Sequence, residues 1–425
     1  LLSQAHAILS DQGDPHAAAR IAARIGEIDW RLGRVDEAFE LMENALDVLA
    51  AEEADPDVAA VAASLARIYV FTGEMEKAMS RAEIALEHAE MLALSETIAD
   101  SLNNKSILLQ MLKGRHVEAE GLLRHALLIA TENDLPIVQI RSHSNLADAL
   151  QRSDDFVAAE GELRAAIALS RKIGYTNGEA FALSELVTVL MFLGRWDEAL
   201  EIRKLIPPAS TTQGWPPAVA VMLIARGLVA DARAVCEPAV AAHRESADLQ
   251  DRTLYQATEA LLLAGEGRTA DALALARTLL GSTPTSLRGW DDIGSFELAI
   301  ETALALGELG QADELLAWAE GLYRGRINRQ GSAALLRYRG RIAAVRGEAA
   351  AGDHLAGAVR LYREMGSPFP LACTLLELAE WLGDERDAPL LAEARTIFED
   401  LKARPWLDRL AQAEARSSSA TDSTW

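Results

Sequence analysis

LGRVDEAFELMENAL, residues 32–46, and FLGRWDEALEIRKLI, residues 192–206, are one phrase written twice. Each has a Gly, four residues, then an Ala. The pattern recurs as GRVDEA from Gly33, GEMEKA from Gly73, GRHVEA from Gly114, DDFVAA from Asp154 and GRWDEA from Gly194. It continues as GLVADA from Gly227, GRTADA from Gly267, GELGQA from Gly307, GEAAAG from Gly347 and GDERDA from Gly383. The steps between copies are 40, 41, 40, 40, 33, 40, 40, 40 and 36 residues. The sixth position is Ala in nine of ten copies, although Ala is only 79 of 425 residues. A fixed period of this size marks a repeat architecture, in which each unit buries its apolar face on its neighbours.

The spacing predicts a helical hairpin per copy. The Gly falls just past a first helix, A, where a left-handed residue ends a helix without a Cβ penalty. The Ala falls inside a second helix, B, where a small side chain admits close approach of helix A. Apolar residues follow at helical spacing: Met42 and Ala45, Ala82 and Ala85, Leu123 and Ala126, Leu163 and Ala166. Helix A carries the same logic in Leu65, Ala66 and Tyr69, and in Leu146, Ala147 and Leu150.

These phrases resemble the tetratricopeptide repeat family in a roughly 40-residue form. The likeness covers about residues 17–416. It implies an all-α solenoid of about ten helical hairpins in a right-handed superhelix, with protein or peptide segments as partners. Copy four departs by its Asp154, copy five has Ile206 in place of the late Ala, and copies nine and ten shift their small residues. The phrase IFEDLKARPWLDRLAQAEA, residues 397–415, is similar to the C-terminal arrays of bacterial class III adenylate/guanylate cyclases and of large ATP-binding LuxR-type regulators. That likeness implies an effector domain of the same parent chain ahead of the array. The first residue, Leu1, agrees with a chain cut from a longer one.

Composition fits this reading. Half the residues are apolar but only 5% are aromatic, which favours closely packed helices over sheets. The net charge of −23 opposes binding to nucleic-acid phosphates, so no direct nucleic-acid partner is expected. Cys236 and Cys373 are too few and too far apart for a disulfide scaffold or metal knuckle, and they suit a reducing, cytoplasmic setting. The longest apolar run, Ala218 to Ala225, is far short of a membrane span.

The clearest interruption is IPPASTTQGWPP, residues 206–217, whose Pro pairs cannot continue a helix. It coincides with the 33-residue step. The expected organisation is a first sub-array over 1–206, a Pro-rich joint over 207–217, a second sub-array with a C-terminal cap over 218–416 and a disordered tail over 417–425. GSTPTS, residues 281–286, is a smaller break.

No chemistry of the chain's own is expected. There is no phosphate loop, no HExxH and no GxSxG elbow. No metal, cofactor or catalytic residue is assigned. Asn104-Lys105-Ser106 matches a glycosylation acceptor but falls in a predicted helix.

Two sets of residues are candidates for binding. The first follows from the resemblance, because early helix A residues line the concave surface of such solenoids. Counting back from each turn collects Glu27, Trp30, Arg67, Asn104, Lys105, Arg141, Asn145, Asp148 and Glu185. Asn suits peptide recognition, since its amide both donates and accepts. Some members of the family clamp a peptide carboxylate with Lys, Arg and Asn, and Lys105, Arg141 and Asn145 match those types. Asp148 and Glu185 lie beside them and oppose a dedicated carboxylate clamp. The second set is Arg324, Arg326, Arg329, Arg337, Arg339, Arg341 and Arg346, uninterrupted by any acid. It suits an acidic partner, or else pairing with Glu on adjacent helices. The resulting expectation is a protein-interaction and regulatory array of a bacterial multidomain signalling protein. The alternatives are a free-standing scaffold or adaptor, and an enzyme built on an α-solenoid.

Overall fold

A left-handed residue stands at every one of the ten pattern starts. The nine glycines have φ between 58° (Gly114) and 84° (Gly73), and Asp154 has φ 64°. Each sits where one helix stops and the next begins, so the pattern marks the turn of a hairpin. The computed structural model describes residues 1–50, 55–207, 215–244, 249–282, 290–322, 327–383 and 387–422. Among these residues there are 22 helices and no strand.

After α1 (Leu2–Asp11), the helices fall in chain order into ten pairs. These are α2 (Pro15–Arg31) with α3 (Val35–Leu49), α4 (Pro56–Thr72) with α5 (Met75–Met91), α6 (Ser95–Lys113) with α7 (His116–Glu132), α8 (Pro136–Arg152) with α9 (Phe156–Ile173), and α10 (Thr176–Phe192) with α11 (Trp196–Arg203). Then come α12 (Trp215–Ala225) with α13 (Val229–His243), α14 (Leu249–Gly265) with α15 (Thr269–Ser282), α16 (Trp290–Ala305) with α17 (Leu309–Glu320), α18 (Arg329–Val345) with α19 (Ala350–Met365), and α20 (Pro368–Leu382) with α21 (Ala388–Leu401). The last helix is α22 (Arg404–Asp422).

Local chemistry sets the helix starts. Pro15 and Pro56 open α2 and α4, where their missing N–H is no loss. The preceding Asp14 and Asp55 accept from Ala17 N (2.9 Å) and Asp57 N (2.7 Å).

In the first eight copies helix B begins two residues after the turn residue, and the pattern's Ala has no exposed surface. Copies nine and ten differ because helix B starts later. In copy ten it starts at Ala388 itself, which is exposed, and Leu391 takes the inner place. In copy nine Ala351 is buried and Gly352 is half-buried. Every apolar residue expected inside, from Met42 to Ala166 and from Leu65 to Leu150, is at most 4% exposed.

The chain divides into two compact units. Unit 1 is Leu1–Ala149, Ala165–Gly178 and Glu245–Arg252; unit 2 is Leu150–Arg164, Glu179–Arg244 and Thr253–Trp425. In unit 1, α2 packs on α3, α4 on α5 and α6 on α7; in unit 2, α18 packs on α19 and α20 on α21.

Most of the expected joint, residues 208–214, lies outside the described residues, as do 283–286 of the smaller break. Trp215, Pro216 and Pro217 form the first turn of α12. Trp215 is buried, its N–H donates to Ser184 Oγ (3.2 Å), and the Arg203 guanidinium stacks 3.7 Å from its ring centre. Both flanks of the stretch belong to unit 2. Helix α22 continues to Asp422, past the boundary expected at residue 416.

Candidate functional site

The A helices of unit 1 carry a ladder of polar side chains in which each rung crosses one repeat. Ser64 Oγ on α4 donates to Glu27 on α2 (2.8 Å). Asn104 Nδ2 on α6 donates to the Ala63 carbonyl of α4 (3.1 Å). From α8, Arg141 donates to Asn104 Oδ1 (2.8 Å) and the Asp100 carbonyl (3.1 Å), and pairs with the Asp100 carboxylate (3.0 Å). A second set lies deeper. Asn103 Nδ2 donates to Ser142 Oγ and the Ala99 carbonyl (2.9 Å each), while its Oδ1 accepts from Asn145 Nδ2 (3.0 Å). Such networks, once satisfied, hold neighbouring helices in one register.

The structure therefore brings Asn104, Arg141 and Asn145 together with Asp100, Asn103 and Ser142. Asn104 is only 3% exposed and both ends of its amide are engaged. Lys105 instead pairs with Glu83 of α5 (2.9 Å). Glu27 also pairs with Arg24 (2.7 Å). Trp30 and Asp148 are half-buried on α2 and α8, and Glu185, on α10, belongs to unit 2.

Arg67 on α4 is the exception to the pairing. It is half-buried, and no hydrogen bond or ion pair reaches it among the described residues. Its charge acts on Arg141. Burial lowers the Arg141 guanidinium from its ordinary range, Asp100 opposes the shift and Arg67 adds to it.

The arginine run lies in unit 2, and Arg324 and Arg326 lie outside the described residues. The other five engage carboxylates of the chain itself. Arg329 pairs with Glu364 (2.7 Å), Arg339 with Glu320 (2.6 Å) and Arg346 with Asp313 (2.5 Å). Arg337, 7% exposed at its side chain, forks onto Glu377 (2.7 and 2.8 Å) and reaches Glu301 (3.2 Å). Arg341 pairs with Glu301 (2.5 Å) and lies 3.4 Å from Glu377. Burial pushes Glu297 up to about 7, partly offset by Arg337. Both cysteines are buried and unbridged, and burial drives their thiols upward, Cys236 to about 12. Among the described residues no cluster of metal-ligating side chains exists, and no helix is long and apolar enough to cross a membrane.

Residues 7–91 match the tetratricopeptide repeat family. The fold is a tetratricopeptide-like α-solenoid. A monomeric mutant of IFIT1 with Gppp-AAAA superposes with TM-score 0.51 at 13% identity, over 93% of this chain and 90% of that one. A Rap protein complexed with competence and sporulation factor gives TM-score 0.44 at 15% identity, over 77% and 76%. BtubC (BKLC) from P. vanneervenii gives 0.40 at 21%, over 48% and 87%. No curated protein matches the sequence.

Two features escaped sequence reasoning. Asn103 and Ser142 sit one residue away from counted positions, on the inward side of their helices, and a count by turn distance alone skips them. Asp154 was legible as a departure from Gly, but its partners lie 174–176 residues further on.

Proposed function

We propose that the chain is a protein-interaction array, and that the A-helix row of unit 1 receives an extended peptide bearing negative charge. Arg67 carries this reading. A half-buried guanidinium without a carboxylate among the described residues, within the field of Arg141, is relieved by an anionic group brought by a ligand. Asn145 and Lys105 flank the same row and suit backbone and side-chain contacts. The tetratricopeptide match of residues 7–91 supports the class of partner.

The test is fluorescence anisotropy with labelled acidic, neutral and basic decapeptide pools. Acidic peptides should bind best, and Arg67→Ala should weaken them by roughly tenfold, the worth of one charge-assisted hydrogen bond. Thermal stability should not fall in Arg67→Ala, because Arg67 makes no bond among the described residues. Equal binding of acidic and basic pools would remove the reading. The finer reading, a regulatory segment of a bacterial multidomain signalling protein, is supported by the phrase at residues 397–415. An effector activity in the parent protein that ignores such peptides would count against it.

A further inference from the structure

Unit 2 touches itself at long range, and most of the touches fall 173–178 residues apart along the chain. Asp154, in the turn before α9, accepts from Asn328 Nδ2 (2.9 Å), Arg329 N (2.8 Å) and Gln330 N (3.3 Å) at the start of α18, 174–176 residues on. Arg226, at the end of α12, donates from Nε to the Leu401 carbonyl at the end of α21 (2.9 Å), 175 residues on. Gly194, in the turn before α11, approaches Pro368 so closely that a Cβ there would lie 2.5 Å from Pro368 Cγ. Gly227, before α13, comes against Pro405 at the start of α22. Trp196 packs on Phe369, ring centres 5.1 Å apart. Asp197 joins the set by accepting from Arg226 (2.8 Å) and Lys402 (2.7 Å).

The polar contacts have the sense that helix ends require. A carboxylate meets the N-terminus of α18, and a guanidinium meets the last carbonyl of α21. Lys402 and Arg226 hold Asp197 below the ordinary carboxylate range. Burial raises Asp154 to about 6 against the pull of its backbone partners and Arg329.

Two residues of the set also accept an unfavourable backbone. Asp154 (φ 64°) and Lys402 (φ 59°) are left-handed without being Gly. Asp154 holds a place that is Gly in the other nine copies. Gly would relieve both positions locally but would supply no charge. Their side chains are used at long range.

We infer that these contacts are a clasp: the turns of the fourth, fifth and sixth hairpins lock onto the helix starts and ends of the ninth and tenth hairpins and α22, fixing the curvature of unit 2. An open array of hairpins can flex like a spring, since each unit meets only its neighbours. The clasp adds non-neighbour contacts that hold one curvature, and its ionic share is weakened by salt. The inference stands apart from the peptide reading, which concerns unit 1.

The test uses the whole chain. In Asp154→Gly/Asp197→Ala/Lys402→Gly, both left-handed positions become Gly, so the hairpins keep their local preference while the ionic clasp is removed. Small-angle scattering should show a larger radius of gyration for this variant, with far-UV circular dichroism unchanged. The wild-type radius should rise toward it between 0.05 and 1 M NaCl, an interval of roughly fourfold to fivefold in screening length. Separately, Arg226→Met removes the guanidinium from both the Leu401 carbonyl and Asp197 and leaves the left-handed turns as they are, so its radius should exceed that of the wild type at 0.05 M NaCl and change less with salt. An unchanged radius in the triple variant overturns the inference. Should the triple variant not fold, Arg226→Met decides: a radius equal to that of the wild type across the salt range overturns the clasp.

Discussion

Ala119 has no exposed surface in α7, the helix that packs on α6, whereas Ala388 is exposed at the start of α21. Both occupy the sixth place of the same pattern. Ala119→Leu should overpack its hairpin and cost about 1–3 kcal/mol, while Ala388→Leu should change stability by less than about 0.5 kcal/mol. Urea unfolding followed by circular dichroism checks the pair, and similar costs would show that the turn length does not set the burial. This contrast marks what single residues disclosed in advance. The Gly and Ala of the pattern were legible because a left-handed turn and a close helix approach each restrict the residue type. Ala388 was misleading because nothing local announced that α21 starts five residues after Gly383.

At the scale of the element, α16, α18 and α20 are tied by Arg337, Glu301 and Glu377, one repeat apart in sequence. The side chains of Arg337 and Glu377 are 7% and 4% exposed. Arg337→Met leaves Glu377 buried with one cation fewer, and should cost about 3–5 kcal/mol; joining it to Glu377→Leu should recover most of that loss. Burial pushes Glu377 upward, but Arg337 and Arg341 outweigh it and hold the carboxyl below its ordinary value of 4.5. A depressed carboxylate contributes stability that is present above 4.5 and is lost as pH falls through its folded value. Unfolding midpoints between pH 7 and pH 3 should therefore drop more steeply for the wild type than for the double variant. The arginine run was visible in the sequence, and its partners were recoverable by stepping one period to either side. The ladder of unit 1 was half legible in the same way. Asn104, Arg141 and Asn145 were countable from the turns, but that Arg141 bonds Asn104 and Asn145 bonds Asn103 depends on which side of each helix faces the next.

For the whole molecule, the hairpin order follows from the period, because a repeat whose units meet their neighbours needs no further instruction. Contacts 174–176 residues apart have no such rule, and only the missing Gly at Asp154 hinted at one. Their presence makes the hairpins of the chain unequal. Removing residues 249–288, one period from inside the clasped stretch, should lower the guanidinium unfolding midpoint more than removing residues 15–54, one period outside it. Equal losses would mean that unit 2 behaves as an open row.

Repeat genes commonly grow and shrink by unequal crossing-over between similar copies, which an array with only neighbour contacts tolerates. Between Asp154 and Pro405 such an event would carry each turn past its partner and leave Asp154 facing the wrong helix. A hairpin gained or lost within that stretch should therefore undo the clasp, whereas one gained or lost before Asp154 should leave it intact.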